Sequence, residues 1–468
     1  MHDKIKMSRY NMITCDDDGG LLVYNFMKGI SSLAKVEKCD VGEFRKLFIE
    51  PTEISKEASD KYRETIDVLL KTGILVYADV NEDVLLDEMN YAEIFDSKLN
   101  LTILPTGKCN FRCPYCFETP QSFSRETMTK DSQDAIIKYI QRSVTHYHSL
   151  HISWFGGEPL VASNVIKYLS EHFISICRKR YISYSADIVT NGYLLDADIF
   201  DMLYSFKVYE YMITLDGFKD QHDKRRYTAN GKGSYDIILR NLMRIRDNKK
   251  YRFAHVMIRV NMSRGFLETM DEFVNYLSTE FGDDPRFRVM FVPVVNFKGS
   301  EFPKTELYQD HKKLFSYLYN NENYLKSFDY DDMKFTSIIA QDKCLSALKN
   351  MYLISPDLRV YKCNAHYDMK ENQLGYMDLN GNMYINETLN KCWYMTRQVM
   401  KDTPAKCKEC FYLPCCPEIY SGCPVSYISE KSDDISCPIK TKEGIKKLED
   451  TVRDAAKKYS CMQIILKT

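Results

Sequence analysis

Between Leu99 and about Lys298 the sequence alternates short apolar runs with helical patterns, and no other feature restricts the fold so tightly. The runs Leu99–Leu104, His151–Phe155, Ala186–Thr190, Tyr209–Leu215, Ala254–Val260 and Arg288–Pro293 read as strands. Helical periodicity separates them, as in Asp131–Val144, Asn164–Cys177, Tyr235–Arg246 and Leu267–Glu280. Six strands alternating with helices predict a parallel sheet with crossover helices, either doubly wound or a partly closed barrel. In both, chemistry sits at the carboxyl ends of the strands.

The flanking segments follow other patterns. Residues 1–98 read as a small α+β unit, in which Tyr10–Thr14 and Leu21–Phe26 flank the hairpin signal Asp16-Asp17-Asp18-Gly19-Gly20. Helical patterns follow near Val41–Phe48 and Ser55–Leu70, Gly73 suits the end of the second, and Ile74–Tyr77 reads as another strand. That order resembles a winged helix. The alternating unit is expected to fill residues 99–310 and a charged, Tyr-rich connector 311–340. A cysteine-rich module is expected at 341–440 and an amphipathic helix within 441–468.

The chain has 16 cysteines; ten lie between Cys344 and Cys461, six of those between Cys407 and Cys437. No run approaches the roughly 18 apolar residues that span a bilayer. The first residues lack an apolar h-region with a small-residue cleavage site, so a cytoplasmic protein with reduced thiols is expected. Close-spaced reduced cysteines point to metal. Residues 341–440 show little periodicity, so metal sites rather than an apolar core would have to hold them. Lys and Arg total 64 against 65 Asp and Glu, which rules out a chain-wide basic footprint. Neither nucleic acid nor a membrane is an expected partner. Charged residues at 28% and hydrophobic ones at 44% argue against disorder.

Cys109-Asn110-Phe111-Arg112-Cys113-Pro114-Tyr115-Cys116 falls directly after the first strand of the alternating region. Three thiolates leave one iron of a cubane 4Fe–4S cluster open to a small molecule. A structural zinc would need a fourth ligand, and no further Cys or His follows within 25 residues. Gly156-Gly157-Glu158-Pro159 follows the second strand, Thr190-Asn191-Gly192 the third, and Thr214-Leu215-Asp216-Gly217 the fourth, with His222, Asp223 and Arg226 beyond. Glycines let backbone approach a ligand closely, and Glu158 can receive an ammonium group.

This ordered series, with Tyr115 before the last Cys, is similar to the signature of radical S-adenosylmethionine (SAM) enzymes. The resemblance implies a partial (β/α)6 TIM-like barrel with a cluster on Cys109, Cys113 and Cys116. It further implies SAM bound by Tyr115, Gly156, Gly157, Glu158, Thr190, Asn191, Thr214 and Arg226.

The C-terminal cysteines resemble a SPASM module, the auxiliary-cluster domain of peptide maturases. By that resemblance Cys407, Cys410, Cys416 and Cys437 hold one 4Fe–4S cluster, and Cys344, Cys363 and Cys423 another. Its fourth ligand is left to Cys392, Cys415 or a substrate thiolate, and Cys415 and Cys416 are interchangeable at this stage. Two departures stand out: six residues rather than the usual three separate Cys416 from Cys423, and Leu358 stands where the module usually has Gly. The turn at Leu358 is therefore expected to differ. Zinc ribbons are the bland alternative for the region.

Together the resemblances imply a radical SAM/SPASM maturase with three 4Fe–4S clusters. Its partners would be a ribosomally made precursor peptide, whose leader is gripped by residues 1–98, and an electron donor such as flavodoxin or ferredoxin. Thioether formation is the expected reaction. Carbon–carbon crosslinking and the formylglycine chemistry of anaerobic sulfatase maturases are the alternatives. Asn364 weighs against formylglycine, because sulfatase maturases carry an Asp base in that place.

Overall fold

The computed structural model describes residues 4–119, 121–294, 302–303, 307, 344–394, 405–416, 423–425, 437, 439–459, 461–464 and 466. The connector at 311–340 lies outside them. The chain divides into two units: Met1–Phe95 with Asp331–Leu348 and Cys392–Thr468, and Asp96–Tyr330 with Lys349–Lys391.

In the first unit, strands β1 (Ile5–Met7), β2 (Asn11–Cys15), β3 (Leu21–Asn25), β4 (Ala34–Val36) and β5 (Leu75–Tyr77) are interspersed with short helical segments, and the helix Glu82–Ile94 follows β5. The β2–β3 hairpin closes because Asp16 Oδ1 accepts from the amides of Asp18 (3.0 Å) and Gly20 (2.6 Å), while Gly19 takes φ +84°. Ser55 caps its helix by accepting from Ala58 N, but the helix expected over Ser55–Leu70 is two, Lys56–Lys61 and Arg63–Lys71. Tyr62 breaks it: the ring is buried and its hydroxyl bonds Glu43, an anchor that periodicity does not register. The helix at Val41–Phe44 widens into a π turn over Arg45–Ile49, which brings the buried rings of Phe44 and Phe48 to 5.1 Å.

The second unit holds the parallel sheet. Strands β6 (Lys98–Ile103), β7 (Ser149–Trp154), β8 (Ser183–Thr190), β9 (Val208–Thr214), β10 (His255–Met262) and β11 (Phe287–Pro293) all pair parallel, each with its predecessor. The helices Lys130–Ser143, Ser163–Arg180, Ala197–Ser205, Tyr235–Asp247 and Met270–Phe281 cross between them. Short polar side chains start several: Thr129 accepts from Ser132 N and Asp196 from Ile199 N. The strand order never reverses from β6 to β11, which is the winding of a barrel wall and not of a doubly wound sheet. The outer edge of β6 pairs with β12 (Met351–Ile354), so the wall is open there. β13 (Arg359–Tyr361), β14 (Gln373–Met377) and β15 (Met383–Ile385) extend the sheet antiparallel. No helix among the described residues is long and apolar enough to cross a membrane.

Farther along the chain, the first unit adds the helix Lys442–Lys458, capped by Thr441, and β16 (Met462–Ile464). β16 pairs parallel with β4, giving a sheet of order β16-β4-β3-β2.

The turn at Leu358 corrects an expectation. Leu358 takes φ +62°, the left-handed conformation a glycine would adopt, and its N–H donates to Ser355 O. A left-handed Leu costs about 1–2 kcal/mol. Its side chain is 4% exposed, and deleting a buried Leu side chain costs about 2–5 kcal/mol. Burial outweighs strain. Leu358→Gly is therefore expected to destabilise the protein by roughly 1–3 kcal/mol in denaturant unfolding, despite restoring the unstrained residue. An increase in stability would show that the strain dominates.

Candidate active site

The three cysteines after β6 sit in a loop that other loops hold from three sides. Beneath it lies Gly156-Gly157. A Cβ on Gly156 would stand 2.4 Å from Thr106 O, and one on Gly157 2.5 Å from Lys108 O and 2.6 Å from Gly107 O. These glycines therefore let the β7 loop touch the backbone that leads into the cysteine motif, and Glu158 N donates to Lys108 O at 3.0 Å. On a second side Asn191 Nδ2 donates to Asn110 Oδ1 at 2.8 Å. On the third, Arg112 N donates to Tyr227 O and Ala229 N to Asn110 O.

Glu158 ties the second and third motifs together. It is fully enclosed and accepts from Thr190 Oγ1 (2.7 Å), Asn191 N (2.7 Å) and Leu160 N (3.0 Å). Burial raises its pKa, and those hydrogen bonds together with Arg226 oppose the rise. An ionised carboxylate offers about four lone-pair sites. One therefore remains for a further donor.

The fourth motif builds a buried polar network. Asp216 is 0% exposed and accepts from Asn261 N (2.8 Å) and the Tyr115 hydroxyl. Arg226 donates from one terminal nitrogen to the Tyr115 oxygen at 3.0 Å, and its buried Nε has no hydrogen-bond partner among the described residues. His222 and Asp223 serve the scaffold. His222 Nδ1 accepts from Asp216 N (3.1 Å) while Nε2 meets Ser234 Oγ (2.9 Å), an arrangement that requires neutral imidazole. Asp223 Oδ1 accepts from the amides of Ser234 and Tyr235 at the start of a helix.

A cavity of about 500 Å³ opens at the carboxyl ends of the parallel strands. Cys109, Cys113, Tyr115, Cys116, Gly156, Gly157, Glu158, Thr190, Asn191, Thr214 and Arg226 all line it. Burial pushes the Cys109 thiol up to about 12 and the Cys113 thiol up to about 11, the latter against the pull of Arg226. Both are protonated at neutral pH until a metal displaces the proton.

Three polar cavity residues escaped the sequence-based site assignment: Glu118, Arg259 and Asn261. Strand alternation was a usable signal for Arg259 and Asn261, which lie two apart at the carboxyl end of β10. Glu118 is 4% exposed, its Oε1 has no hydrogen-bond partner among the described residues, and burial pushes it up to about 7. Asn364 lines the same cavity, brought there by a segment whose Tyr367 stacks on Phe123 at 4.4 Å.

The residues present fit a cluster and SAM. Three thiols share the cavity, an unpaired guanidinium N–H suits a carboxylate, and Glu158 has room for one ammonium hydrogen. Among the described residues no three His, Cys, Asp or Glu converge on a point that a single metal ion would fill. A cubane, with a separate iron for each thiolate, does not require that.

Of the remaining cysteines, Cys363 belongs to the second unit, and Cys344, Cys392, Cys407, Cys410, Cys415, Cys416, Cys423 and Cys437 to the first. Cys407 and Cys437 both act electrostatically on Cys410, so these three are neighbours. Cys416 is buried with Tyr412 and Leu413 in the apolar cluster against which Cys407 and Cys410 pack. Cys415, also buried there, donates to Phe26 O at 3.6 Å.

One titration follows from the network. Burial holds the His222 imidazole down to about 3 from its ordinary 6.5. Below pH 6.5 the unfolded chain binds a proton here that the folded chain refuses, so stability falls with pH at about 1.4 kcal/mol per unit. Denaturant unfolding at pH 7, 6 and 5 is expected to show this slope in the wild type. His222→Gln, although less stable at pH 7, should lose that part of the slope. Equal slopes would contradict a buried neutral His222.

Residues 103–277 match the family model described as Radical SAM superfamily. The chain is 26% identical over 303 residues to the radical SAM cyclopropyl synthase TigE of Paramaledivibacter caminithermalis, covering 60% of this chain and 62% of that protein. The match thus spans less than two thirds of that relative's length. It is also 26% identical over 363 residues to a cysteine-type anaerobic sulfatase-maturating enzyme of Clostridium novyi, covering 69% of this chain and 87% of that enzyme. In fold it is similar to native anSMEcpe with bound AdoMet and Kp18Cys peptide, at 18% identity and TM-score 0.57, over 77% of this chain and 99% of that one. Residues 103–277 are a radical SAM domain, and the two relatives of the chain are named as a radical SAM synthase and a sulfatase-maturating enzyme.

Proposed function

We propose that this enzyme matures a ribosomally made precursor peptide by joining a cysteine sulfur to a carbon of another residue as a thioether. The observation that carries the reading is one cavity holding three thiols, a buried guanidinium with an unpaired Nε–H, and Asn364. When bound, a reduced 4Fe–4S cluster and SAM supply a 5′-deoxyadenosyl radical, which takes a hydrogen atom from the substrate.

The chain's own residues bind and orient. Arg226 presents its Nε–H to the SAM carboxylate, Glu158 its remaining lone pair to the ammonium, and Thr214 and Asn191 their polar groups to the ribose. Tyr115, fixed between Asp216 and Arg226, keeps the guanidinium aimed. Phe117 and Phe155, with ring centroids 6.4 Å apart, line the wall and exclude water that would quench a radical. Asn364 can hydrogen-bond the peptide but cannot take a proton as a carboxylate would. Per thioether the peptide loses one hydrogen atom from carbon, taken by the 5′-deoxyadenosyl radical, and a proton and an electron from sulfur, for which a bound 4Fe–4S cluster would be the electron acceptor.

Residues 1–98, winged-helix-like in their element order, recognise the leader. Cys407, Cys410, Cys416 and Cys437 hold a further cluster, and a flavodoxin or ferredoxin delivers electrons.

A second reading, formylglycine formation, is favoured by Glu118, which keeps a carboxyl group on the cavity wall that Asn364 lacks. The relative from Clostridium novyi is named a cysteine-type anaerobic sulfatase-maturating enzyme. A cyclopropyl synthase closes a carbon–carbon bond, which keeps crosslinking between carbons as an outcome of the same test.

The experiment is a search of the neighbouring reading frames for a short Cys-containing peptide, then its anaerobic turnover, thiol alkylation and mass spectrometry. A thioether removes two hydrogens per link and protects the Cys. Loss of sulfur would indicate formylglycine, and fully alkylated Cys a carbon–carbon link; either rejects the thioether. Replacing Cys109, Cys113 and Cys116 together by Ala should abolish 5′-deoxyadenosine and remove one cluster's share of the iron, roughly four atoms per chain. Retained cleavage would overturn the site.

A further inference from the structure

The sheet of the first unit has an unusual edge. β4 pairs antiparallel with β3 on one side, and on the other with β16, a segment from the opposite end of the sequence. The register is Met462 with Ala34, Gln463 with Lys35 and Ile464 with Val36, and Met462 N donates to Leu33 O at 3.1 Å. Without β16, β4 would be an edge strand. An open edge is the surface on which extended peptides add to a sheet.

β16 is seated as a docked peptide would be. Ile464 and Leu466, two apart, are each 2% exposed in the cluster of Phe44, Phe48, Ile66 and Leu69, while Gln463, just before Ile464, is exposed. A groove of about 550 Å³ runs alongside, lined by Tyr62, Thr65, Val68 and Leu69 on one wall and Met462 and Ile464 on the other. The ladder is three residues long and parallel, the less stable pairing per residue.

The preceding helix is anchored elsewhere. Leu448, Val452 and Ala455 pack with Tyr10, Tyr24 and Phe26 in a different cluster. Arg453 Nε donates to Cys15 O at 2.8 Å, and Lys457 pairs with Asp17 at 2.7 Å. β16 can therefore leave β4 while the helix Lys442–Lys458 stays in place.

We propose that β16 is an intramolecular competitor: the precursor displaces it and pairs with β4, using an extended segment with aliphatic side chains at alternate positions. This rests on the reading that residues 1–98 recognise the leader, and it adds that the docking edge is occupied until a precursor arrives. Tethering gives β16 a high effective concentration, so only a peptide that fills the Ile464 and Leu466 positions competes.

The test uses the full-length holoenzyme and a defined probe, the synthetic peptide YSSMQIILKT, which copies residues 459–468 with Ser for Cys461. Hydrogen exchange is followed with and without saturating probe. Amides of Met462–Ile464 are expected to exchange roughly tenfold faster or more when the probe is bound, while those of Ala34–Val36 stay protected. Unchanged protection of Met462–Ile464, or no probe binding, overturns the proposal. As a second measurement, the variant Ile464→Ser with Leu466→Ser should bind fluorescein-labelled probe roughly tenfold more tightly or better, with SAM cleavage unchanged. Equal affinity overturns the proposal without touching the thioether assignment. A leader that fails to displace bound probe overturns the choice of occupant and the leader reading together, and the product's mass remains a separate test of the chemistry.

Discussion

The candidate site depends on one contact between two stretches of backbone. Gly156 and Gly157 lie so close to Thr106, Gly107 and Lys108 that a single methyl group at either would overlap a carbonyl oxygen. That contact seats the cysteine loop on the end of β7. Glu158, the next residue, donates its amide to the same loop and uses its carboxylate to draw in Thr190 and Asn191. Asn191 then reaches back to Asn110 inside the cysteine motif. Motifs that look like separate ligand contacts in the sequence are also the scaffold that holds the three thiols in place.

Charge is arranged around that scaffold with equal economy. Asp216, Tyr115 and Arg226 form a chain of buried polar groups, and the guanidinium of Arg226, a residue that lines the cavity, keeps a buried Nε–H without a partner among the described residues. A buried donor without a partner costs stability in the free protein. It also provides a directed site for an anionic group, so the cost is recovered on binding. The His222 imidazole stays neutral because two cationic arginines and burial oppose its protonation. Its two nitrogens connect Asp216 to Ser234 without adding a charge.

Much of this was legible in the sequence. The six strands of the barrel wall form where apolar runs predict them, because parallel strands packed under helices need such runs. The residues assigned to the first cluster and to SAM all line one cavity, since strand alternation and loop position determine which side chains face it. Periodicity did not reveal the break at Tyr62, where tertiary packing overrides a continuous helical pattern. The left-handed Leu358 was read as a departure because the sequence shows the residue type, not the burial that makes its strain tolerable. β12 and β16 were missed for another reason: each is short, and each owes its existence to a partner strand far away in the chain. Glu118 carried no pattern at all, since a lone acid beside an aromatic is ordinarily solvated.

The account's central claim is that the glycine pair seats the cysteine loop, and Gly157→Ala tests it most directly. Iron and sulfide are measured in the anaerobically reconstituted variant beside the wild type, with thermal unfolding followed in parallel. The account predicts loss of about one cluster's share, roughly four irons, from a protein that still unfolds cooperatively. Full wild-type iron in the variant would contradict it.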